Sequence, residues 1–130
     1  MTTVPGWLEA AVREFGAGMG LGDLSLGPSG AAALRFADGT ACRLEYAMGF
    51  LVMSMSVDSP GGSDAAKLLL SASDPLRRGA FRLRAGTVGN PPRAVFAVRF
   101  GPAEVSPGNL ESAMAELWRA AENHRRRVGA

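Results

Sequence analysis

The side chains with the most chemical reach in this 130-residue chain are its single cysteine, Cys42, and its single histidine, His124. A lone cysteine has no partner for an internal disulfide, and neither residue sits among Cys, His, Asp or Glu at metal-ligand spacing. Cys42 alternates with apolar neighbours, the pattern of a buried, inert thiol rather than a nucleophile. His124 lies beside Arg125, Arg126 and Arg127 with no local carboxylate to form a relay. In the last turn of a helix such a basic run offsets the helix dipole. No serine stands in a G-x-S-x-G elbow. The glycines at 16, 18, 20 and 22 fit neither G-x-G-x-x-G nor G-x-x-x-x-G-K-[ST], and they follow a helical pattern rather than a strand, so they read as a helix end and not as a phosphate cradle. No catalytic residue, metal or cofactor is expected, and the chain does not read as an enzyme.

The remaining chemistry is carried by arginine. Arg119 and Arg125 to Arg127 form one cluster, read first as helix-end compensation. Arg82, Arg84, Arg93 and Arg99 form another, three of them on strand patterns that would gather them on a basic sheet face. A nucleic-acid binder would interleave aromatics there for stacking. Alternation instead puts Phe81, Phe96 and Phe100 on the opposite side. Fourteen basic against twelve acidic residues, a formal charge of +2, does not itself imply nucleic acid. A small basic nucleic-acid-binding or regulatory module stands as the alternative reading.

These residues are positioned by an alternating series of elements. Trp7, Leu8, Ala11, Val12 and Phe15 share one helical face from Pro5 to about Ala17. Ala31 to Ala37 reads as a strand with Leu34 and Phe36 on one side. Asp38-Gly39 is a hairpin dipeptide whose central positions would both take positive φ. Cys42, Leu44, Tyr46 and Met48 alternate with Arg43, Glu45 and Ala47, and after Gly49 a third strand covers Phe50 to Val57. Ser59 to Gly62 is a break, and Ser63 or Asp64 can cap a helix through Leu70 and Ala72 that stops at Asp74-Pro75. Phe81, Leu83 and Ala85 read as a fourth strand, Gly86 to Pro92 as a loop, and Val95 to Phe100 as a fifth strand. Leu110, Met114, Leu117, Trp118 and Ala121 mark the clearest amphipathic helix. The expectation is one domain over residues 1–130, of α+β class: an antiparallel five-stranded twisted sheet with three helices in the order α-β-β-β-α-β-β-α.

That order resembles the class I chaperones of bacterial type III secretion, from Trp7 to about Val128. The helix end and first-strand approach at Gly20-Leu21-Gly22-Asp23-Leu24-Ser25-Leu26 look like the family's, as does the Asp38-Gly39 turn. Lys67-Leu68-Leu69-Leu70-Ser71-Ala72-Ser73 is similar to its leucine-rich second helix, and Glu116-Leu117-Trp118-Arg119-Ala120-Ala121-Glu122 to its last. The chain departs from the family's acidic habit in being mildly basic. The resemblance implies a cytoplasmic homodimer that binds the N-terminal segment of a secreted effector and keeps it extended and secretion-competent. The lone cysteine and the absence of a basic, apolar leader at Met1 to Gly6 agree with a reducing cytosol, and no run of about 20 apolar residues is present to span a membrane.

A holder of this kind needs uncovered apolar surface or an unpaired strand edge. Candidate effector-binding residues are Trp7, Leu8, Val12 and Phe15 on the first helix and Leu34, Phe36, Leu44, Met48, Met53 and Met55 on the strands. Methionine suits such a surface because its unbranched side chain repacks around different partners, although Met48, Met53 and Met55 read more readily as ordinary core. For the dimer interface the expectation is Leu68, Leu69 and Leu70, apolar round most of their helix, with Val95, Phe96, Val98 and Phe100 on the fifth strand.

Overall fold

The structure, a computed structural model, describes residues 3–59, 63–74 and 79–128, apart from the Asp64 side chain. The expected break over residues 60–62, a cap from Asp64 and a helix stop at Pro75 lie outside what is described. The element order is α1 (Gly6–Gly18), β1 (Ala31–Arg35), β2 (Ala41–Ala47), β3 (Phe50–Asp58), α2 (Ser63–Ala72), β4 (Arg84–Val88), β5 (Arg93–Phe100) and α3 (Pro107–Val128), with a short 3-10 turn at Pro102–Glu104. This is the anticipated α-β-β-β-α-β-β-α chain with a five-stranded antiparallel sheet.

Helix α1 begins after Pro5, whose carbonyl accepts the backbone N–H groups of Leu8 and Glu9 at 3.1 Å. Its buried stripe is Leu8, Val12, Phe15 and Gly16. Gly16 is required by a close approach: a Cβ there would lie 2.6 Å from Leu24 Cβ. Helix α3 is capped by Ser106, whose Oγ accepts the Asn109 N–H at 3.1 Å, and Pro107 opens the first turn where a missing N–H costs nothing. Its far end is tied to the β1–β2 hairpin. There Arg125 donates to Asp38 Oδ2 at 3.1 Å and to the Thr40 hydroxyl. The Asp38 carboxyl is held below its ordinary pKa, first by the Thr40 backbone N–H, then by the Thr40 hydroxyl and by Arg125.

The two hairpins differ from expectation in where the left-handed residues fall. At Asp38-Gly39 only Gly39 has positive φ, +88°, and the loop closes with Phe36 N–H donating to Thr40 O. The pair of positive φ values belongs to Met48 (+53°) and Gly49 (+82°), which join β2 to β3 in a two-residue turn opposite the Ala47–Phe50 pair. Met48 therefore leaves the strand alternation.

The strand order across the sheet is β1-β2-β3-β5-β4. Helix α2 carries the chain from β3 to the far edge, and β5 returns between them. All three helices gather on one face. Leu51, Met53, Met55 and Val57 of β3 and Ala94, Phe96, Val98 and Phe100 of β5 alternate onto that side and pack with Leu110, Leu117 and the α1 stripe in one core. Strand β4 is also shifted from the expected Phe81–Ala85. Its ladder with β5 starts at Arg84 and takes in Gly86, Thr87 and Val88, which read as loop from their residue types. Phe81 and Leu83 approach as the alternation implied, Leu83 buried and Phe81 edge-on to Phe100 at 5.8 Å, but before the ladder begins.

Candidate functional site

Because the helices lie on one side, three kinds of surface are left for a partner: the other sheet face, the two edge strands β1 and β4, and a few apolar side chains that the core does not take. An edge strand offers backbone N–H and C=O groups to a further strand. Here both edges are short, five residues each.

The structure divides the ten expected effector-binding residues sharply. Leu8, Val12, Phe15, Leu44, Met53 and Met55 are buried within the subunit, so they belong to its own core. The cause is the alternation itself, which places Leu44, Met53 and Met55 on the helix-covered face. Leu34 and Phe36 are half-buried, and Phe36 is covered by Trp118 of α3, ring edge to ring face at 5.2 Å. Only Trp7, 48% exposed, and Met48, 94% exposed at its hairpin tip, present themselves to solvent. Phe50 joins Met48 at that tip, a residue the sequence reading placed merely in a strand.

The expected dimer surface is corrected in the same way. Strand β5 is hydrogen-bonded on both sides, to β3 and β4, so it has no free edge. Phe96, Val98 and Phe100 are buried in their own subunit, and Leu69 nearly so; Val95 is half-buried on the uncovered face and Leu68 half-buried on α2. Leu70 is the exception at 71% exposed. It lines an apolar cavity of about 480 Å³ between α2 and edge strand β4, with Ala65, Leu69, Ala85 and Pro92. Val88 of β4, 56% exposed, is paired with Arg93 and points to the opposite, uncovered sheet face. Val88 was missed because Gly86 to Pro92 looks like turn sequence. The apolar Thr87-Val88 step between glycines was the available signal.

A second cavity, about 600 Å³, lies between α2 and α3, with Leu68, Phe96, Glu116, Arg119, His124 and Arg127 on its walls. His124 is buried there, its Nε2 3.1 Å from Ser59 Oγ and its Nδ1 without a hydrogen-bond partner among the described residues. Burial lowers its pKa, so the neutral ring is favoured. Cys42 is buried too, and its thiol is pushed up to about 11, which keeps it protonated and unreactive at neutral pH. Among the described residues no three His, Cys, Asp or Glu side chains converge on a common point, and no helix is long and apolar enough to cross a membrane.

No protein-family model matches the chain, and no curated protein matches it. Solved structures do. A chain of the ExsC–ExsE complex superposes with a TM-score of 0.80 at 21% identity, covering 98% of this chain and 97% of that one. A chain of the HopA1–SchA chaperone–effector complex gives 0.72 at 17% identity, over 98% and 100%. The Yersinia pestis type III secretion chaperone SycH, in complex with a stable fragment of YscM2, gives 0.68 at 17% identity, over 89% and 98%.

Proposed function

The chain has the class I type III secretion chaperone fold over almost its whole length, and from that premise we propose that it is a homodimeric cytoplasmic chaperone holding the N-terminal segment of a secreted effector extended. The observation that carries the reading is the superposition on chains of the ExsC–ExsE complex and of the HopA1–SchA chaperone–effector complex, with almost none of either chain left over. The physical means are those of a holder rather than a catalyst. Helices cover one sheet face, while the second face and the β1 edge stay available to an unfolded segment. An added strand gains main-chain hydrogen bonds whatever its sequence, and side-chain contacts on either side supply selectivity.

Dimerisation is assigned to the opposite margin. Exposed Leu70 and the apolar cavity between α2 and edge strand β4 leave apolar surface next to an unpaired strand. A twofold axis there buries the same patch on both subunits. The β1 edges remain at the outside for two stretches of one client.

The experiment is affinity purification from the bacterium that makes the protein, then limited proteolysis of what it holds. The expected outcome is a larger protein whose first residues resist protease only in the complex, and whose truncation at the N-terminus abolishes capture. Capture through a folded domain, unaffected by that truncation, would refute the reading.

A further inference from the structure

The uncovered face of the sheet has a charge pattern that apolar holding does not explain. The register places Arg35, Arg43, Arg84, Arg93 and Arg99 on this one face, against only Glu45 and Asp58. Arg43 and Arg84 stand in the same cross-strand row, separated by Ser54 and Ala97, hence three strand spacings or ~14 Å apart. Between these two arginines the floor is made of the small Ser54 and Ala97; the next row holds Ala41, Ser56, Val95 and Gly86, and the row on the other side Glu45, Val52 and Arg99.

The arginines are not equally committed. Arg93 is pinned: it donates to Asp58 at 2.7 Å, to Gly39 O at 2.9 Å and to Ser56 O at 3.0 Å, bridging β5 to the β1–β2 turn. Arg99 lies over the Phe50 ring, 4.5 Å from its centroid, which fixes the guanidinium plane and leaves its N–H edges for an acceptor. Arg43 pairs with Glu45 at 2.6 Å, but both side chains are about half exposed, so this ion pair is weak and exchangeable. Arg35 and Arg84 have no ion-pair partner among the described residues.

We propose that this face is a docking track for an acidic, extended polypeptide segment; resting on the chaperone reading, the assignment names the chemistry of its client. Carboxylates on alternate residues of an extended chain recur every ~6.6 Å on one side, a spacing that lets two or three of them reach the arginines flanking the small-residue floor. A polypeptide fits better than a nucleic acid. The aromatic on this face, Phe50, is already stacked beneath Arg99, so no platform remains for bases.

The test is fluorescence anisotropy with three labelled 16-residue probes: alternating Glu-Ser, alternating Leu-Ser, and oligouridine. The Glu-Ser peptide is expected to bind, with affinity falling as salt rises. Arg84→Ala and Arg99→Ala each weaken it roughly twofold to fivefold and the Arg43/Arg84/Arg99 triple alanine variant abolishes it, while Arg126→Ala at the α3 end changes nothing. Circular dichroism confirms that these exposed-site variants stay folded. Failure of the Glu-Ser peptide to bind, equal loss in Arg126→Ala, or tighter arginine-dependent binding of oligouridine overturns the assignment. Leu-Ser binding, unaffected by the arginine variants, reports on the chaperone reading separately. If it persists while Glu-Ser fails, only the acidic-client assignment falls; if neither peptide binds, the chaperone reading falls with it.

Discussion

Lowering the pH should destabilise this protein through a single buried ring. His124 is 1% exposed, packed edge-on against Phe96 at 5.8 Å, with Nδ1 unpartnered among the described residues. Its folded-state pKa is lowered by burial from the ordinary 6.5. In the unfolded chain the imidazole takes a proton as pH falls below that value, while in the folded protein it resists. The unfolded state then binds more protons, so the stabilising contribution is complete above about pH 7 and is lost as pH falls below about 6.5, at up to ~1.4 kcal/mol per pH unit. Between pH 7.5 and 5.5 stability is expected to fall, readable as a lower urea midpoint at unchanged slope. Asp38 works in a different window: its lowered pKa contributes stability above about pH 4 and loses it only below. His124→Gln should be less stable at pH 7.5 yet flat between pH 7.5 and 5.5. Equal wild-type midpoints at the two pH values, or an unchanged pH slope in the variant, would refute the reasoning.

Other expectations follow from burial and backbone geometry. Met53→Ala and Met55→Ala should each cost about 2–5 kcal/mol in urea unfolding, since both side chains are fully buried. Met48→Asn should instead stabilise by about 0.5–1 kcal/mol, because asparagine tolerates the φ of +53° that methionine adopts before Gly49. Gly16→Ala should lower stability by about 1–3 kcal/mol through the Leu24 contact, whereas Gly6→Ala, with nothing within 4 Å, should stay within about 0.5 kcal/mol. Leu70→Asp should leave the fold intact and reduce the mass seen by light scattering from twice 13.5 kDa to one chain.

How much of this could be read from residue order depended on the distance over which each feature is decided. The α1 and α3 stripes and the β3 alternation are local, set by side-chain periodicity within one element, and they hold in the structure. The element order followed from them. Lateral order did not, because nothing in Val95 to Phe100 records that it will lie between β3 and β4 rather than at a margin. The dimer surface was consequently expected on β5, whereas the sheet margins are β1 and β4. The buried methionines show the same limit. Alternation identified Met53 and Met55 as sharing a face, but which face the helices cover is a tertiary fact. Arg84 and Arg99 were recognised as facing together. Arg35 and Arg43 join them only through the β1–β2–β3 register.

The most direct measurement is amide hydrogen exchange on the captured client's N-terminal segment, alone and in the complex, with the chain followed in parallel. The expected result is fast exchange along the free segment, and protection on binding both of that segment and of β1 and its neighbouring strands. A segment already protected on its own, or protection of the chain confined to α3, would contradict a chaperone that holds an unfolded passenger against its sheet.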